Sequence, residues 1–258
     1  DNDDRHIPIK YRMSLNEYLK AHEMKNDLFK DHSPHKSEEE VNSMYDLFSQ
    51  ELLTCRDFNN LETLRNFYRN QKRTFSFSEI KNPTDDKIEA IPDIEKFLTR
   101  LNFKPEIDNH LTHDDVTFLT GGWFEEYIYY LMKKNMNPQD ISLNVVIHPK
   151  NVNRINELDV IFMKGNKLFV IECKSGVENQ RMFNEIVYKA CALKESLLGV
   201  SCQSYIISLK KDTKDKSLKR IANNMDIKFV DYYNLTDKNA MALVFSEMNL
   251  LANDNNVQ

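Results

Sequence analysis

The dipeptide Gly165-Asn166, set between two runs rich in Val, Ile and Phe, constrains this chain more than any other feature. It is a two-residue hairpin signal. Folding about it sets Lys164 opposite Lys167, Asp159 opposite Glu172 and Glu157 opposite Lys174, so like charges face each other in the first two pairs. Directly opposed carboxylates weaken a sheet. An otherwise apolar hairpin that keeps such a pair needs a counter-charge, and a hard divalent cation held by oxygen atoms is the natural one.

The other hairpin positions are apolar on both faces: Leu158, Val160 and Phe162 oppose Cys173, Ile171 and Phe169, while Ile161 and Met163 oppose Val170 and Leu168. Strands covered on both faces are central strands. Period two places Glu172, Lys174 and Asp159 on one face and Cys173 on the other. The plainer alternative is a salt-bridged strand end in which Lys174 neutralises Glu157 or Glu172. A strand-borne Asp, a turn, and a Glu-x-Lys after an apolar run occur together far less often than singly, which favours catalysis.

With 258 residues, 41% of them hydrophobic, the chain has material for one large or two smaller domains. Asp1 is not Met, which suggests a fragment. No apolar run approaches the roughly 20 residues that span a bilayer. Cys55, Cys173, Cys191 and Cys202 form no Cys-x-x-Cys pair, which speaks against a zinc site or disulfide framework and for a reducing cytoplasm. A net charge of −5 argues against a nucleic-acid partner only until its distribution is considered. Residues 119–258 carry 18 Lys+Arg against 16 Asp+Glu, and residues 1–118 carry 17 against 24. The basic residues of the second half cluster at Lys210, Lys211, Lys214, Lys216, Lys219 and Arg220, with Lys189 and Lys194 before them. The cluster is either a phosphate-binding surface or a solvated helix face.

Along the first half, Met13 to Leu28 reads as helical and 31–37 as a linker. Ser37 followed by three glutamates is a helix start, with the helix running towards Leu53. Further helices are expected from about Leu61 to Arg69 and from Asp93 to Leu101. Ile107 to Phe118 reads as a short β-hairpin around Thr112-His113-Asp114-Asp115, and helices with such a hairpin suggest a winged-helix-like domain over 37–118. In the second half a helix opens after Gly121-Gly122. Strands follow at about 141–148, 155–163 and 167–174, then a helix at 178–198, a strand at Ser204 to Leu209, a helix at Lys216 to Asn224 and a strand at Ile227 to Val230. This is an α/β pattern: a mixed sheet flanked by helices on both sides.

On the helix after Gly122, Trp123, Phe124, Tyr127, Ile128, Leu131 and Met132 share an apolar face. Glu125 falls at its border beside Met132, whereas Glu126 projects further towards solvent. A border carboxylate can reach a cation held by Asp159 and Glu172, although a helix-start acid favoured by the macrodipole accounts for both glutamates as well.

With its αβββα order, Asp159, Glu172-Cys173-Lys174 and a glutamate on the first helix, the region 119–231 resembles the PD-(D/E)xK restriction-endonuclease-like superfamily. Leu158 stands where the superfamily name has proline. More narrowly, Leu119-Thr120-Gly121-Gly122-Trp123-Phe124-Glu125-Glu126-Tyr127, Asn151 to Asp159 and Glu172 to Gly176 are similar to the nuclease domain of CRISPR-associated CARF nucleases, ancillary effectors of type III systems. The resemblance implies a restriction-endonuclease-like nuclease domain over 119–258, homodimers, a nucleic-acid substrate, and a cyclic oligoadenylate activator where a CARF domain is present. Residues 1–118 lack the alternating strands and helices of such a Rossmann-like sensor.

The implied reaction is phosphodiester hydrolysis of DNA, with RNA as a second substrate class. Asp159, Glu172, the Cys173 carbonyl and Glu125 are expected to hold one or two Mg²⁺ or Mn²⁺ ions. Lys174 orients water or stabilises the phosphate, and Lys189, Lys210 and Lys211 bind substrate phosphates. Two alternatives stand beside this. A structure-selective resolvase or repair nuclease shares the catalytic residues, and a degenerate nuclease fold acts only as a nucleic-acid-binding module. His110-x-x-His113 flanks a turn without further ligands at zinc spacing, and His148 ends a strand, so all three read as structural. Tyr188 beside Lys189 reads equally as a core tyrosine or a substrate contact.

Overall fold

The computed structural model of the chain describes residues 12–28, 30, 32–70, 73–84, 89–148, 156–175, 185, 187–191, 202–209, 220 and 222–253. They fall into two compact units, one formed by Asp1–Pro34 with Ile128–Gln258 and the other by His35–Tyr127.

The first unit is built on a six-stranded mixed sheet. Its strands are β1 (Lys25–Asn26), β4 (Asp140–His148), β5 (Asn156–Lys164), β6 (Lys167–Lys174), β7 (Cys202–Ser208) and β8 (Ile227–Val230), adjacent in that order. Pairing is antiparallel from β1 to β6 and parallel from β6 to β8. The β5–β6 turn has Gly165 and Asn166 both at positive φ, 59° and 60°, the conformation of the tight hairpin turn that suits strand twist. Lys164 accordingly faces Lys167, and every ladder position back to Val160–Ile171 is buried. This is the α/β mixed sheet expected from the sequence.

Helix α1 (Leu15–Ala21) packs Leu15, Tyr18 and Leu19 with Val145, Ile147, Leu158, Ile161, Leu168 and Val170. A second cluster joins Val187 and Ala222, from the partly described helical segments at 185–191 and 220–224, to Ile206 and Ile227. On the opposite face Phe162 and Phe169 stack at 4.7 Å. The C-terminal helices α8 (Tyr232–Thr236) and α9 (Lys238–Asn253) complete the unit, and Glu247 of α9 pairs with Lys228 of β8 at 2.8 Å.

Three expectations change here. Met13 to Leu28 is not one helix: after α1 the chain turns at Glu23, at positive φ, into β1. The edge of β4 would otherwise expose unpaired backbone. Its partners are Asp27, whose Oδ1 accepts from the Val146 N–H at 2.8 Å, and His32, whose carbonyl accepts from the Leu143 N–H at 3.0 Å. Helices α8 and α9 were not read from the sequence, although Asp237 before Met241, Met248 and Ala252 is a start signal followed by helical spacing.

The third change lies in the second unit, which is mainly helical: α2 (Glu38–Ser49), α3 (Cys55–Asn70), α4 (Phe77–Lys81), α5 (Ile94–Arg100) and α6 (His113–Thr117). A kinked π turn at Phe118–Gly122 leads into α7 (Trp123–Met136), within which the boundary between units falls. Residues 107–118 are not a hairpin. Thr112 caps α6 with a reciprocal box to Asp115, and the strand before it, β3 (His110–Leu111), pairs with β2 (Phe75–Ser76) instead. Cap chemistry outweighs the turn-like composition of Thr112-His113-Asp114-Asp115, and the hairpin that suggested a wing is absent.

Candidate active site

The hairpin that carries the acidic residues stops pairing where they begin. The β5–β6 ladder ends at Val160–Ile171, the step before Asp159 and Glu172. On the other side of β5 the ladder passes from Leu143–Val160 to Val145–Leu158, skipping Asn144, which sits at φ 48° opposite Asp159. Asn tolerates this left-handed conformation better than most residues, and such positions cluster at functional sites. The strands therefore part at the acidic pair.

Side chains replace the missing ladder bonds. The backbone N–H of Cys173 donates to Asp159 Oδ2 at 2.7 Å, and the Lys189 ammonium donates to the Glu157 carbonyl at 3.2 Å. Glu172 lies between two lysines. Lys174 Nζ is 2.8 Å from Oε1, and Lys189 Nζ is 3.2 Å from Oε2. Asp159 and Glu172 are only 9% and 8% exposed, burial that an unpaired carboxylate would not sustain. Burial works against the Lys174 charge, but Glu172 and Asp159 outweigh it and hold the ammonium above its ordinary value. Among the described residues no set of three or more His, Cys, Asp or Glu side chains converges as a metal cage. Two carboxylates with a backbone carbonyl nonetheless match the sparse oxygen set that Mg²⁺ takes when water and phosphate supply the rest.

The structure brings together Asp159, Glu172, Cys173, Lys174 and Lys189. Lys189, expected from the sequence to bind substrate phosphate, donates to the Glu172 carboxylate, a contact that no spacing rule reveals across a helix. Tyr188 is exposed, so the reading of it as a core residue is corrected. Lys210 and Lys211 lie outside the described residues. Glu125 sits half-buried in the first turn of α7, on the part of that helix belonging to the other unit. The wheel reading of its neighbour is reversed: Glu126 is buried and accepts from the His35 and Lys36 backbone N–H groups at 3.1 and 3.0 Å. Those two donors draw a residue placed on the solvent side of the wheel into the interior. His110 bonds the Asp108 carbonyl at 2.9 Å, and His113 opens α6.

The chain is similar to known proteins. Residues 112–237 match the family model of the Card1-like endonuclease domain. That stretch is similar to a Card1-like endonuclease domain. Solved structures share the fold, among them these two. One is protein VC1899 from Vibrio cholerae, 19% identical with a TM-score of 0.65, covering 93% of this chain and 62% of that one. The other is Can2 from Sulfobacillus thermosulfidooxidans in complex with cyclic tetra-adenylate, 23% identical with a TM-score of 0.56, covering 93% and 61%. The chain thus spans less than two thirds of the length of either protein. No curated protein matches it. Among the described residues no helix is long and apolar enough to cross a membrane. The matched stretch contains every residue of the acidic cluster, from Asp159 through Lys189.

Proposed function

We propose that the chain is a metal-dependent endonuclease that hydrolyses phosphodiester bonds of DNA, with RNA as a second substrate class, in CRISPR-associated defence. One observation carries the reading: two buried carboxylates meet a lysine where the central hairpin opens. The catalytic part is assigned to residues 119–258.

Asp159, Glu172 and the Cys173 carbonyl would hold Mg²⁺ or Mn²⁺. Such an ion supplies charge neutralisation at the scissile phosphate and a lowered pKa for a coordinated water. Asp159 is fixed by the Cys173 N–H, which aims its carboxylate. Lys174, held in its charged form by the two carboxylates, is suited to stabilise charge growing on the phosphate. Glu125 as a further ligand, homodimer formation, and substrate binding by Lys210 and Lys211 are carried by the family resemblance and the local charge. The cyclic tetra-adenylate belongs to the Can2 structure. For this chain, a response to such a ligand is proposed only where a sensor domain accompanies it.

The test is incubation of the purified protein with single- and double-stranded DNA and RNA in Mn²⁺, Mg²⁺ or EDTA, beside Glu172→Gln. Metal-dependent cutting lost in the variant is the expected result. Cutting that survives EDTA or the substitution would remove the acidic pair from the chemistry.

A further inference from the structure

Lys189 contacts three oxygens: Glu172 Oε2 at 3.2 Å, Glu172 Oε1 at 3.4 Å and the Glu157 carbonyl at 3.2 Å. They come from both strands of the parted hairpin, and two belong to a carboxylate proposed above as a cation ligand. The side chain is 36% exposed, so its ammonium has a route to solvent. It is also a compact charge on a flexible four-carbon stem, which can leave a partner without disturbing the helix that bears it.

Two roles are open to a lysine so placed. It can orient Glu172 for a cation, or it can occupy the carboxylate in the cation's stead. Charge decides between them. An ammonium and a divalent ion on one carboxylate repel each other with twice the unit-charge interaction at that distance, in a site with little water to screen it. The orienting effect of one charge-assisted hydrogen bond is the smaller quantity. Glu172 Oε1 is moreover already held by Lys174 at 2.8 Å, so orientation does not require Lys189.

We propose that Lys189 is a resident counter-ion that competes with the divalent cation for Glu172 and so sets the cation concentration at which the site loads. The inference rests on the nuclease reading of the site and deepens it by naming how loading is controlled. Removing the competitor makes loading easier, the opposite of what removal of an orienting group would do.

The experiment is calorimetric titration of Mn²⁺, without nucleic acid, into the full chain and into Lys189→Met, Lys189→Gln and Lys228→Met. Lys228 serves as the control, because it is paired with Glu247. The expected result is a Kd for Mn²⁺ about tenfold lower in both Lys189 variants, about 1.4 kcal/mol, and unchanged in Lys228→Met, with thermal unfolding showing that each variant is folded. An equal or higher Kd in the Lys189 variants overturns the proposal, as does an equal fall in Lys228→Met, which would be a general field effect. If wild type cleaves, Glu172→Gln does not, and the Lys189 variants bind Mn²⁺ as wild type does, this inference alone falls. If neither wild type nor the Lys189 variants bind Mn²⁺, it falls together with the nuclease reading.

Discussion

The Cys173 backbone N–H donates to Asp159 Oδ2 at 2.7 Å just beyond the last step at which β5 and β6 pair through their main chains. A side chain thus does the work of a ladder bond, and the strands can separate without leaving a buried donor unsatisfied. The same contact fixes the orientation of one of the two acidic groups. Asp159 therefore has a structural duty and a proposed chemical one, and substitutions separate them.

Asp159→Asn keeps an oxygen that can accept from Cys173 but loses the negative charge. It is expected to abolish cleavage while lowering stability by less than about 1 kcal/mol. Asp159→Leu leaves the buried N–H without an acceptor, which costs about 1–3 kcal/mol. Urea unfolding beside a cleavage assay distinguishes the two. Equal stability losses in both variants would show that the hydrogen bond contributes nothing.

The hairpin turn is held by more than its own conformation. A Cβ placed on Gly165 would lie 1.9 Å from the Ala252 carbonyl oxygen of α9, at a φ of 59°. Gly165→Ala is expected to cost at least about 2 kcal/mol, since αL strain alone is roughly 1–2 kcal/mol and the contact with α9 adds to it. Asn166→Gly leaves the turn geometry intact but removes the side-chain oxygen that accepts from the Met13 N–H at 2.9 Å. Its loss should be smaller, about 1 kcal/mol. Thermal unfolding of both variants checks the order.

The hairpin was legible in the sequence because turn chemistry and period two act on neighbouring residues. Gly165-Asn166 fixed the register, and the apolar runs identified the strands as central. What stayed hidden depends on partners far away in the chain. Lys189 reaches Glu172 from a helix, and Glu126 is drawn inward by backbone donors at His35 and Lys36. The edge of β4 is covered by a segment more than 100 residues earlier. The misread hairpin at 107–118 is a local error of another kind: a capping box and a turn use the same residues, and Thr112 with Asp115 satisfied the box.

Acid should weaken the second unit through its caps. In α2 the Ser37 backbone N–H donates to Glu40 and, as the largest influence, holds its carboxyl below the ordinary value of 4.5. A carboxylate lowered on folding contributes stability that is fully present above the unfolded value and lost as pH falls through the folded one. Glu40→Ala is expected to cost about 0.5–1 kcal/mol at neutral pH, with the gap to wild type closing below about pH 4.5. Chemical unfolding at pH 7 and pH 3.5 measures it.

Glu126 should show the opposite dependence, because burial is the largest influence on it and raises its carboxyl above 4.5, only partly offset by the N–H groups of Lys36 and His35. The folded chain then binds this proton more tightly than the unfolded chain. Stability linked to the group falls as pH rises through the interval above 4.5 and recovers on acidification. Glu126→Gln cannot titrate, so the difference between wild type and the variant isolates this contribution. Wild type is expected to gain on the variant as pH is lowered from 8 to 5, read from urea midpoints at each pH. A gap that stays constant would show that the carboxyl titrates alike in both states, and that its two backbone bonds fully offset the cost of burying its charge.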